Sequence, residues 1–172
     1  MRRSGKALSN LPAVRQEVAQ LQRLLGKQGV VVAQEDKATP ARARQIARDA
    51  RVVHLACHAE ADGVDPLGSW LSLAPAGKLT AGEVVGKWRL RADVVMLSAC
   101  ETVVGVARRY EGLYGLARAF FFAGPRSVGA SLWQVNDVST ARLMGGFYRA
   151  YARSVILRAR KHRLGCTNSR ML

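Results

Sequence analysis

The sequence predicts an α/β fold, a mostly parallel sheet covered by helices on both faces. Three observations lead there. Two short apolar runs, Val52-Val53-His54-Leu55-Ala56-Cys57 and Asp93-Val94-Val95-Met96-Leu97-Ser98, have the length and continuity of buried strands. Stretches with helical spacing and helix-start signals alternate with such runs along the chain. The length of 172 residues and the 49% hydrophobic content suffice for one domain with a core of its own.

Taken in order, Val14, Val18, Leu21 and Leu25 recur at helical spacing between Pro12, a favoured first position, and Gly26, a stop. Val30-Val31-Val32-Ala33 reads as a short strand, and Thr39-Pro40 opens a helix that runs to about Arg48. After the strand at Val52, residues 59–78 mix Gly63, Pro66, Gly68, Pro75 and Gly77 with short apolar runs, the pattern of a long loop holding at most a hairpin. Thr80 and Glu83 have capping-box spacing and predict a short helix before the strand at Asp93. A second loop is expected over 101–110. Glu111 to Ala123 is helical, with Leu113, Leu116, Ala117, Phe120 and Phe121 apolar, and Gly124-Pro125 ends it. Ser127–Trp133 is a further strand, and Asp137 caps a helix through Leu143, Met144, Phe147 and Tyr148. From Arg158 the period fades, and 158–172 reads as frayed helix or disordered basic tail.

Lys and Arg number 27 against 12 Asp and Glu, a formal charge of +15 that suits an anionic partner. Part of the excess is a tail effect, because Arg153, Arg158, Arg160, Lys161, Arg163 and Arg170 have no acidic neighbours after residue 151. Arg108, Arg109, Arg118 and Arg126 cluster as well, but aromatic interleaving is thin, so a solvated face is favoured over nucleic-acid binding. Three cysteines cannot all pair within one chain, which points to a reducing, cytoplasmic setting. The basic start leads into a polar stretch rather than a signal core, and no run approaches the ~18 apolar residues of a membrane span.

Both central strands end in reactive side chains. If they are parallel neighbours, His58 and Cys100 emerge at the same sheet edge, where open α/β sheets place their ligands. A cysteine nucleophile with a histidine base has that layout. Cys57 falls on the opposite face by alternation and belongs to the core. His54 shares a face with His58, yet no third ligand stands at metal-binding spacing, so a supporting or core role is favoured and neither metal nor cofactor is expected.

A series of ordered motifs then resembles one family. His54-Leu55-Ala56-Cys57-His58, Pro66-Leu67, Leu71-Ser72-Leu73, Leu79-Thr80-Ala81, Val94 to Thr102, Glu111 to Phe120, Ala123-Gly124, Ser131 to Asp137 and Ser139-Thr140-Ala141 together resemble the CHAT domain, a caspase-like module commonly joined to TPR repeats. The resemblance implies a three-layer α/β/α sandwich of the caspase/haemoglobinase type, occupying 11–151 between an extension (1–10) and the basic tail (152–172). It implies cysteine endopeptidase chemistry by a His58–Cys100 dyad, with backbone amides around Ala59 and Ala99 serving the oxyanion. A likeness to separase adds an expectation that Asp137 holds a basic P1 side chain, with Trp133 lining a neighbouring pocket.

Several residues have plainer readings. Asp before a helix is the preferred N-cap, a core tryptophan is common, and Glu111 suits a helix start. Glu101 is read as positioning its loop, since its charge opposes thiolate formation. Three departures matter: Ala59 stands where the family usually has glycine, little chain precedes Leu11, and the basic tail replaces a last helix. They lead to the expectation of a domain truncated at both ends, with a sheet edge exposed. The expected partners are a protein or peptide substrate and a TPR-containing or activating protein. The competing expectation is a noncatalytic interaction module or inactive remnant of the same fold.

Overall fold

The computed structural model describes residues 12–25, 30–74, 76–101, 109–130 and 137–165. It divides into two compact units, one drawn from 31–136 and one from 12–30 and 137–165. The first holds α2 (Pro40–Ala47), β1 (Val52–Glu60), β2 (Trp70–Leu73), β3 (Gly77–Thr80), α3 (Ala81–Lys87), β4 (Val94–Glu101), α4 (Arg109–Phe122) and β5 (Val128–Ala130). The second holds α1 (Pro12–Leu25) and α5 (Asp137–Gly165).

The five strands form one sheet in the order β3-β2-β1-β4-β5. β1, β4 and β5 run parallel, and the β2–β3 hairpin adds antiparallel strands at one side. β4 is a central strand, and its apolar run shows why: Val94, Val95, Met96 and Leu97 are all buried, on both faces. β1 alternates instead. Val53, Cys57 and Ala59 enter a core with Val95 and Leu97, packed with Leu71, Leu79, Val84, Leu116 and Phe120. Trp88 meets Phe120 edge to face there, ring centroids 5.6 Å apart.

Register between β1 and β4 is set by that alternation, because a one-residue slip would turn Val53, Cys57 and Ala59 out of the core. A polar clamp closes the opposite end. Arg51 Nε donates to Asp93 Oδ2 (2.9 Å), the Asp93 amide donates to the Arg51 carbonyl (2.7 Å), and Arg126 Nε lies 3.9 Å from Asp93 Oδ1. Both arginine side chains are largely exposed (72% and 81%), so each ion pair contributes about 1 kcal/mol or less. The apolar pattern dominates.

Local signals operate as expected. Thr39 Oγ1 accepts from the Arg42 amide, and Thr80 and Glu83 form a complete capping box. Gly124 ends α4 with φ +113°, and a Cβ there would stand 2.8 Å from the Leu90 carbonyl oxygen. In the helical unit Leu21, Met144 and Tyr148 are buried, together with Glu17. Burial, then the Glu17 and Tyr151 charges, push the Tyr148 phenol well above its ordinary range.

Other expectations give way. Residues 30–33 form no strand, and Val31 is 66% exposed. Valine favours a pleated surface only where a neighbouring strand is present, and no described strand pairs with this run. β1 runs on to Glu60, since Ala59 and Glu60 pair with Leu71 and Trp70 of β2. Those two positions are its ladder pairing with β2, so among the described residues 52–58 are paired in the ladder with β4 alone. The hairpin expected within 59–78 is β2–β3. α5 continues to Gly165, through much of the expected tail, in a run rich in alanine, leucine and arginine that favours helix. The Gly26 stop, the loop at 102–108, the second half of the Ser127–Trp133 strand and residues 1–10 lie outside the described residues.

Removing Phe120 tests this ranking. Phe120→Ala should cost about 3–5 kcal/mol, and Asp93→Ala, which removes both ion pairs, about 2 kcal/mol or less, in denaturant-unfolding free energy. Equal losses would mean that the clamp, not the apolar pattern, holds the register.

Candidate active site

His58 and Cys100 come together through the sheet. β1 and β4 pair in parallel from Val52↔Val94 to Ala59↔Glu101, and His58 stands directly opposite Cys100. Adjacent strands lie ~4.8 Å apart, so the two positions are as close as neighbouring strands allow. The pleat puts His58 on the face that also carries His54, Ala56, Met96 and Ser98. His58 is half-buried, and its Nδ1 and the Nε2 of His54 are shielded from solvent. His54 is paired with Met96, which is consistent with a supporting place on that face.

Cys57 sits on the other face, in the core, and burial pushes its thiol up to about 12. Ala59 is 1% exposed and belongs to the same core, so its methyl group fills space between β1 and the helices. Alanine in place of glycine at this position is therefore a packing residue. Ala99 pairs with Cys57, and Glu101 with Ala59.

The chain after β1 is ordered by residues that the sequence reading passed over. Asp62 Oδ1 accepts from the amides of Val64 (2.8 Å) and Asp65 (2.9 Å), which hold its carboxyl below the usual carboxylate range. Ser69, fully buried, accepts the Asp62 amide (2.9 Å). The signal was present as Asp62-Gly63 and Asp65-Pro66, side-chain turns that tie the loop back beside β1.

The family model of the CHAT domain matches residues 2–163. The chain belongs to the CHAT-domain family. Its mixed α/β sheet with flanking helices is the caspase-like scaffold that membership implies. Comparison with curated proteins gave no significant match.

Within this CHAT domain, the remaining candidate residues fall on other elements or outside the described residues. Asp137 is the first residue of α5, in the helical unit. Trp133, Cys166 and Arg108 lie outside the described residues. Arg118 is exposed over the Tyr114 ring on α4, and Arg126 belongs to the Asp93 clamp. Among the described residues no group of three or more His, Cys, Asp or Glu is placed to hold a metal ion, and no helix is long and apolar enough to cross a membrane.

The Cys57 environment gives a signed prediction. A thiol raised by folding stays protonated in the native state while the unfolded chain ionises from about pH 9, so its contribution to stability falls as pH rises from there toward 12. Cys57→Ala should therefore flatten the alkaline fall in denaturant midpoint relative to wild type. Iodoacetamide at pH 8 should leave Cys57 unmodified until the chain is unfolded. Ready labelling of Cys57 in the folded protein would contradict its placement in the core.

Proposed function

We propose that this CHAT domain is a cysteine endopeptidase with Cys100 as nucleophile and His58 as general acid and base. The in-register pairing of these two residues on adjacent parallel strands, within a caspase-like family, is the observation that carries the reading. The Cys100 thiolate attacks the scissile carbonyl carbon, and the oxyanion so formed accepts hydrogen bonds from backbone amides around Ala59 and Ala99. His58 donates a proton to the departing amine, the carbon–nitrogen bond breaks and a thioester remains. His58 then takes a proton from water as it attacks the thioester, and the carboxylic acid leaves with Cys100 restored.

Asp137 is the proposed partner of a basic P1 side chain, and Trp133 the wall of the adjoining pocket. The overall charge of +15 repels basic substrates at long range, so this preference rests on a local carboxylate. A reducing cytoplasm keeps Cys100 available, and a TPR-containing or other activating protein is the proposed regulatory partner. The second reading, an interaction module of the same fold, draws on the exposed apolar side chains of α4, Tyr114, Phe121 and Phe122.

A fluorogenic peptide library with varied P1, run beside Cys100→Ala, tests the proposal. Cleavage should vanish in Cys100→Ala and fall by ~10²–10⁴-fold in kcat for His58→Ala. Asp137→Ala should lose cleavage after Arg and Lys selectively, and an unchanged P1 profile would remove Asp137 from the account. Equal cleavage by wild type and Cys100→Ala would overturn the peptidase reading itself.

A further inference from the structure

A groove of about 590 Å³ opens between the Pro66–Gly68 turn, α3 and α4, all within the sheet-bearing unit. Its walls are Pro66, Leu67, Val85, Tyr114, Arg118 and Phe122. Leu67 is 54% exposed, Tyr114 54% and Phe122 74%, which makes this a contiguous apolar surface rather than scattered single residues. The support beneath it is rigid. At Gly115 the helix lies so close to the turn that a Cβ would come 2.9 Å from the Pro66 carbonyl oxygen, while Phe120, one turn along, is locked against Trp88.

Among the described residues that line the groove, the charged one, Arg118, is basic. Arg118 stands with its guanidinium 5.3 Å from the Tyr114 ring centroid, and no carboxylate pairs with it among the described residues. Two acids stand outside that lining: Glu83, which is paired with Lys87 and accepts from the amide of Thr80, and Asp65, which accepts from the amide of Leu67. A second copy of this chain, at +15, would be repelled and has few acidic segments to offer.

We propose that this groove docks an acidic amphipathic helix of a partner protein, its apolar side chains seated between Leu67, Tyr114 and Phe122 and a carboxylate on Arg118. Helix-in-groove recognition needs a short apolar trough to accept anchors at i, i+4 and i+7, and a flanking charge fixes their orientation. This surface is separate from the His58–Cys100 positions and does not rest on their being catalytic.

The test uses the whole chain and two fluorescein-labelled helical peptides with leucines at i, i+4 and i+7, one flanked by glutamates and one by lysines. Anisotropy should show saturable binding of the acidic peptide. Leu67→Ser and Phe122→Ser, both at exposed positions and each checked for an unchanged melting profile, should weaken it at least tenfold without altering net charge. Arg118→Glu should weaken the acidic peptide and strengthen the lysine peptide. Absence of saturable binding, or acidic-peptide binding indifferent to Leu67→Ser and Phe122→Ser, would overturn the proposal, the latter marking diffuse attraction to a basic protein. So would a sedimentation shift from dimer to monomer on Phe122→Ser, which would assign the face to a second copy.

Discussion

The parallel pairing of β1 with β4 is the constraint from which the candidate site follows, because His58 and Cys100 are brought opposite each other by backbone register alone. Forty-two residues separate the two positions in sequence, and neither would approach the other without this ladder. The register is held by burial of Val53, Cys57, Ala59, Val95 and Leu97 on one face, with Val94 and Met96 buried on the other. A slip of one residue would cost several such side chains at roughly 1.5–3 kcal/mol each, far more than the Asp93 clamp contributes. The proposed chemistry therefore depends on a core of side chains other than the half-buried His58.

Alternation also separates the two adjacent reactive-looking residues of β1. Cys57 and His58 are neighbours in sequence, yet one is sealed in the core with its thiol pushed up to about 12, and the other stands half-buried on the opposite face. The same strand thus supplies an inert thiol and a titratable imidazole. Past His58, the pairing of Ala59 and Glu60 with β2 and the turn centred on Asp62 anchor the chain, so the histidine sits inside a strand rather than at a loose end. Such anchoring fits the proton-transfer role proposed for His58.

Most of the fold was legible because its signals are local. Thr80 with Glu83, Thr39 with Pro40, and Gly124 announce their helix ends by chemistry that acts within four residues. The β1 and β4 strands were legible from continuous apolar runs, and the His58–Cys100 pairing from their position near the ends of those runs. What failed depended on neighbours. Val30–Ala33 has strand composition, but composition does not reveal whether a second strand lies alongside. Ala59 and Glu60 look like loop residues until β2 pairs with them. On α4, Leu116, Phe120 and Phe121 read alike as apolar, yet the packed face takes Leu116 and Phe120 and leaves Phe121 58% exposed, because apolar residues spread around much of a helix give no hint of which side is covered. The groove beside Tyr114 and Phe122 was hidden for the same reason.

The central claim is that His58 and Cys100 act as one unit, and the pH dependence of Cys100 alkylation tests it most directly. In a Cys166→Ser background, with Cys57 unlabelled as the sign of an intact core, the rate should rise at a pH clearly below the ~8.5 of a free thiol and return to that ordinary profile in His58→Ala. An ordinary profile that His58→Ala leaves unchanged would contradict the account, showing that the two residues share a register without sharing chemistry.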